Sequence, residues 1–146
     1  MLLLTELNAV VQDLYDCISF GPGKRPNFRL MRRIFLPQAH LINANGTQPQ
    51  LLTLDAFINS IEANLNAGKF TAFEETEVKH TTEVFGKVAH RFSTYEARVT
   101  PGSVEPDIVG INSIQFVHAD GRWQVSSIAW NDQTPERTLP EQYQPD

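Results

Sequence analysis

The sequence predicts an α+β domain in which one curved, mainly antiparallel sheet wraps around three helices from the N-terminal half. Apolar residues recur at helical spacing early in the chain, and from Phe70 onward their period changes from 3.6 to 2. The last third, GINSIQFVHADGRWQVSSIAW (Gly110–Trp130), reads as a hairpin reversing at Asp120-Gly121, the strongest short-range hairpin signal. Helices gathered early and strands gathered late give a two-layer domain with the helices on a single sheet face. A strongly curved sheet cannot be filled by helices along its whole length, so the architecture implies a cone-shaped cavity at one end.

Thr5 is a plausible N-cap for a helix over about 6–19, whose apolar stripe is Leu7, Val10, Val11, Leu14 and Ile18, with Tyr15 beside it. Gly21-Pro22-Gly23 stops it. A second helix follows Asn27, turning Phe28, Met31, Ile34 and Phe35 inward, and Pro37 ends it. Ala39–Ala44 reads as a short strand closed by Asn45-Gly46, followed by a loop through Pro49. Thr53 then caps a third helix with Leu54, Phe57, Ile58, Ile61 and Leu65 on one face and Gly68 at its C′ position. Phe70–Thr82 and Val84–Val99 are long β-rich runs around Phe85-Gly86-Lys87, and the Gly110–Trp130 hairpin completes the sheet. The Pro-rich tail from about 134 is extended and lies across the domain. Residues 1–146 thus form a single domain without internal repeats.

Composition narrows the function classes. The net charge of −5 argues against nucleic acid, whose binding needs clustered cations to displace counterions. The one basic run, Lys24, Arg25, Arg29, Arg32 and Arg33, reads as a solvated helix face. A single cysteine, Cys17, excludes an internal disulfide framework and a Cys-based zinc site, and its place in a helical pattern suggests an inert buried thiol. The start Met1-Leu2-Leu3-Leu4 is too short for a signal-peptide core, and no stretch approaches ~20 apolar residues. A cytoplasmic location and no membrane contact are therefore expected. No Ser-His-Asp spacing, glycine-rich phosphate loop or metalloprotease motif is present, and no cofactor is implied.

The element order and the segments LYDCISF, FLPQAHLINANG, FGKVAHRFSTYEAR, GINSIQFV and WQVSSIAWND resemble the NTF2-like superfamily, the cystatin-like cone fold with its SnoaL-like and steroid-isomerase branches. The resemblance covers the chain from the first helix to Trp130 and is specific for fold, because this superfamily hosts isomerases, dehydratases, cyclases and pure binding modules. In the steroid-isomerase branch a Tyr on the first helix and an acid on a late strand hold an oxyanion, while an Asp on the first strand moves the proton. Tyr15 falls at or next to the Tyr position, Asn43 where the basic Asp belongs, and Asn112 where the acid belongs. Asn43 has no useful proton affinity near neutral pH, so that mechanism is disfavoured, whereas Asn112 still offers a hydrogen bond.

Strand parity then nominates the cavity residues. A three-residue loop Ala119-Asp120-Gly121 places Asn112, Ile114 and Phe116 on one face with Ile128 and Trp130. A two-residue Asp120-Gly121 turn would instead put Trp130 with Ile111 and Ser113. The first is favoured because it groups large apolar residues with one amide, as a ligand cone needs; the same residues also suit plain packing under the helices. On the neighbouring strand Val88, His90, Phe92 and Thr94 share a face, with His90 the titratable residue of most interest, as a candidate general base or a structural histidine. A register centred on Phe85 would set His80 opposite His90, but a third ligand is missing and no metal site is assigned. Glu75 and Glu77 read as a solvated edge beside Lys79. The expected ligand anchors are therefore Tyr15, His90, Asn112, Trp130 and Asn43.

Three functions follow: binding of a small apolar or amphipathic molecule, a lyase or isomerase using His90 as base, or an interaction module whose cavity is filled. The outer sheet face, expected to carry Ile111, Ser113, Gln115 and Val117 with Trp123, Val125, Ser127 and Ala129, is too apolar to face water comfortably, and a homodimer through it is expected.

Overall fold

The computed structural model describes residues 2–146; Met1, part of the short apolar start considered above, lies outside them. The element order is α1 (Leu2–Ile18), α2 (Phe28–Ile34), β1 (Phe35–Asn43), β2 (Gln50–Thr53), α3 (Leu54–Asn66), β3 (Glu74–Phe85), β4 (Val88–Arg98), β5 (Ile108–Ala119) and β6 (Arg122–Asp132), with a short 3₁₀ turn at Glu141–Tyr143. The strands form one sheet in the order β2-β1-β6-β5-β4-β3. Only the β1–β6 pairing among them is parallel; the others are antiparallel. This is the expected α+β layer, and among the described residues no helix is long and apolar enough to cross a membrane.

Local chemistry explains the helix limits. The Leu2-Leu3-Leu4 run consists of strong helix formers, so α1 begins there and runs through Thr5 instead of starting after it. The Asn27 side chain accepts from the Leu30 N–H, and that of Thr53 from Ala56, both as expected of N-caps. Gly68, at φ +70°, closes α3 with the Gly68 N–H on the Leu65 carbonyl and the Lys69 N–H on Asn64, a Schellman motif. Phe35 is buried as expected but is already extended, since α2 ends at Ile34; Pro37 sits inside β1, where the β1–β6 ladder is irregular. The stretch read as a loop before Thr53 contains β2, a short edge strand on β1.

The late hairpin reverses through Asp120 (φ 55°) and Gly121 (φ 78°), with Ala119 paired to Arg122. The turn is therefore the two-residue, left-handed type and not the three-residue loop. The extra residue sits further along instead: Phe116 pairs with Val125 but Gln115 with Ser127, so Ser126 is a bulge. Beyond it Asn112 pairs with Trp130 and Ile114 with Ile128, and the favoured face assignment of these four holds for a different reason. Between turn and bulge it fails. Trp123 and Val125 belong to the inner face and are 2% and 0% exposed in the core, so they are not part of the outer surface. A second register shift, skipping Val78 between Glu77 and Lys79, interrupts β3. Bulges in β3 and β6 bend the sheet around the helices.

The core joins Leu7, Val11 and Leu14 of α1 and Met31 and Ile34 of α2 to Leu41, Ile114, Phe116, Val125 and Ile128 of the sheet. Each such fully buried side chain contributes roughly 1.5–3 kcal/mol relative to exposure. The tail crosses the opposite, convex face: the Tyr143 carbonyl accepts from Thr94 Oγ1 at 2.7 Å, its ring meets Phe92 edge-on at 5.2 Å, and Lys79 pairs with Asp146.

Candidate functional site

A cavity of about 350 Å³ opens between the concave sheet face, α1 and α3. Most of its wall is apolar, with Leu14, Ile18, Phe57, Ile61, Ile108 and Ile128 prominent. Its polar end gathers Tyr15 from α1, Glu75 from β3, Tyr95 from β4, Asn112 from β5 and Asp132 from β6. Inward parity and the two bulges bring these side chains together from five elements. Gly110, paired with Tyr95, leaves the room that the phenol occupies; a Cβ there would strike the Tyr95 hydroxyl and the Asn131 carbonyl.

At this end the hydrogen bonds run in one direction. Ser93 Oγ donates its single proton to Glu77 Oε2, whose carboxylate is held by the buried Arg91 guanidinium at 3.1 Å. Tyr15, 2.6 Å from Ser93 Oγ, must therefore donate to it, and its own oxygen accepts from Asn112 Nδ2 at 3.0 Å. The chain runs Asn112 → Tyr15 → Ser93 → Glu77, anchored by Arg91. Arg91 also donates to Thr82 Oγ1 and to Asn8 Oδ1. Nearby, Tyr95 donates to one Asp132 oxygen and Asn45 Nδ2 to the other at 3.1 Å.

Burial, ahead of the Glu75 charge, holds the Tyr15 phenol well above its ordinary pKa, and burial does the same for Tyr95, reinforced by its bond to Asp132. Glu75 is different. It keeps part of its surface open to the cavity, but its carboxyl group lies deep, and desolvation pushes its pKa from 4.5 up to about 7. The opposing bond from Asn112 Nδ2 is long, at 3.4 Å, and too weak to cancel that cost; Asp132 adds a further upward push. Cys17, which also lines the cavity, has its thiol pushed up to about 12, first by burial and then by Asp13. It is a structural thiol with Sγ on the Leu14 carbonyl.

The structure brings Tyr15, Asn112 and Trp130 together at the cavity, with Trp130 edge-on to Phe57 at 6.0 Å. His90 is not there. It lies on the convex face, half exposed, with Nε2 2.8 Å from Glu83. The inward residues of β4 are Ala89, Arg91, Ser93 and Tyr95, the less apolar of the two sets. His80 pairs with Ser93 rather than His90, because the Gly86-Lys87 turn joins Phe85 to Val88, and the two histidines occupy opposite faces. Asn43 is also not among the cavity-lining residues; its Oδ1 accepts from the Asn45 N–H at 2.9 Å and shapes the bend after β1. Glu75 and Glu77, expected at a solvated edge, point inward. Their shared parity was visible in the sequence; the missing signal was that β4's inward face carries Arg91, Ser93 and Tyr95 to receive them.

No protein-family model matches the chain, and no curated protein matches it. Solved structures do. An NTF-2-like protein of unknown function from Silicibacter pomeroyi is 18% identical, with 89% of this chain and 95% of that chain covered and a TM-score of 0.62. A Kribbella flavida protein is 17% identical over 89% of this chain and 90% of its own, with a TM-score of 0.71. A Nostoc punctiforme protein of unknown function with a cystatin-like fold is 9% identical over 90% and 91%, with a TM-score of 0.69. At these identities the likeness concerns architecture, and with the element order, sheet topology and cavity it leads to one statement: the chain has the NTF2-like, cystatin-like cone fold.

Proposed function

We propose that the protein binds a small, largely apolar molecule in the cone cavity, with the ligand's polar end against Glu75 and Asn112. The observation that carries this reading is the cavity itself: about 350 Å³ of mostly apolar wall ending in one cluster of polar side chains. Such a combination suits an amphipathic ligand, whose body gains from leaving water and whose polar group sets its orientation. A cavity filled by its own side chains, as an interaction module would have, is not what these dimensions describe. A thermal-shift screen of apolar and amphipathic compounds tests the reading. Stabilisation that grows with ligand concentration supports it, and no shift across a broad set contradicts it.

A lyase or isomerase is the second reading, and it now rests on Glu75, whose pKa near 7 suits a general base; His90 has no access to the cavity. Binding ranks above it because the donors an oxyanion would need are already engaged. Tyr15 donates to Ser93, and the Asn112 amide donates to Tyr15 and Glu75.

A homodimer through the convex face is retained as a proposal over a narrower surface. The tail covers Thr94 and leans on Phe92, while Phe85 and Val88 remain 86% and 54% exposed at the far end of β3 and β4.

A further inference from the structure

The cluster of Tyr15, Glu75, Tyr95, Asn112 and Asp132 at the polar end of the cavity is rich in acceptors, and its donors are already engaged. Tyr15 gives its proton to Ser93 and Tyr95 gives its proton to Asp132. Asn112 Nδ2 points to Tyr15 and, at 3.4 Å, to Glu75 Oε1; Asn45 Nδ2 points to Asp132. The Glu75 carboxyl group, deep in the fold, holds only that one long hydrogen bond among the described residues. A buried carboxyl group with so little hydrogen bonding is costly unless something else supplies donors. The cavity wall holds two acidic side chains, Glu75 and Asp132, and among its described lining residues no Lys, Arg or His. Both the donor deficit and the sign of the charge point the same way.

We propose that the ligand carries a basic amine on an apolar or aromatic body, with the ammonium between Glu75 and Asp132 and the body against Phe57 and Trp130. This inference rests on the binding reading above and sharpens it. An ammonium brings three donors, and a charge-assisted bond to a carboxylate is about twice as strong as a neutral one. The edge-on Phe57–Trp130 pair offers the body an aromatic surface, which also favours a nearby cation. A carboxylate ligand would bring no donor and would face two acids. An alcohol would bring one donor and no charge.

Isothermal titration of the intact chain with 1-naphthylmethylamine, 1-naphthalenemethanol and 1-naphthoic acid tests this, since the three share one apolar body. The amine should bind at least about ten-fold more tightly than the alcohol, and the acid more weakly than either. Glu75→Gln should remove that ten-fold preference of the amine over the alcohol. Equal or tighter binding of the alcohol or the acid overturns the amine inference and leaves the binding reading standing. Absence of binding by all three overturns the amine inference, while the binding reading falls only if the broad thermal-shift screen also shows no stabilisation. The wild-type comparison decides between these outcomes without the variant.

Discussion

Tyr15 and Ser93 lie 78 residues apart in the chain and 2.6 Å apart in the fold, and the proton between them belongs to Tyr15. Ser93 has one proton and gives it to Glu77, a carboxylate pinned by Arg91. The phenol that the steroid-isomerase resemblance nominates as an oxyanion donor thus lines the cavity with its proton already committed to Ser93, and its oxygen holds Asn112. Tyr15→Phe and Ser93→Ala should each cost about 1–2 kcal/mol, since each leaves a buried polar neighbour short of a partner. The double variant should cost less than the sum, with a coupling of about 0.5 kcal/mol or more. Urea unfolding of the four proteins checks this, and strict additivity would mean the two side chains do not share a network.

Glu75 gives the fold a pH dependence of known sign. Its pKa is raised from 4.5 in the unfolded chain to about 7 in the folded one, so the folded state binds more protons between those values. Its contribution is most favourable below about pH 4.5, declines as pH rises to 7, and is flat above. The urea midpoint of the wild type should therefore fall over that window relative to Glu75→Gln, in which the step is absent. Parallel curves for the two proteins would refute the assignment.

Arg91 is 1% exposed and faces Glu77, so the pair is safe only while both members are present. Glu77→Ala should destabilise by about 3 kcal/mol, the scale seen when a buried ion pair loses one member. Replacing both, as Glu77→Leu with Arg91→Met, should cost less than Glu77→Ala alone. Chemical denaturation distinguishes the two orders, and a double variant worse than the single would show that the charges contribute beyond cancelling each other.

Phe85 and Val88 leave apolar surface at one end of the convex face. Sedimentation at micromolar concentration should find a dimer that Phe85→Asp with Val88→Asp converts to monomer. A monomeric wild type ends the proposal.

Much of the layout could be read from residue order, because capping and periodicity are local: Asn27, Thr53 and Gly68 mark helix ends by chemistry carried in a few neighbouring residues. The faces were harder. One unpaired residue anywhere between Phe116 and Ile128 inverts the parity beyond it, and the sequence does not say whether that residue is in the turn or at Ser126. Asn112 and Trp130 came out together either way, while Trp123 and Val125, lying between the two possible positions, came out on the wrong side. On β4 the apolar set around His90 looked like the inward one. The buried set is instead the one with Arg91, because Glu77, Thr82 and Asn8 compensate its charge from elsewhere in the chain. No pattern within the strand could announce partners 9 to 83 residues away. Glu75 was hidden for the same reason.

On the reading proposed above, the cone cavity, and not the convex sheet face, receives the ligand. Methyl NMR of the protein titrated with 1-naphthylmethylamine distinguishes the two faces. Shifts should be confined to cavity methyls such as Leu14, Ile18, Leu41, Ile61, Ile108 and Ile128, whereas shifts centred on Val88, Ile111 and Val117, or none at all, would rule out amine binding in the cone.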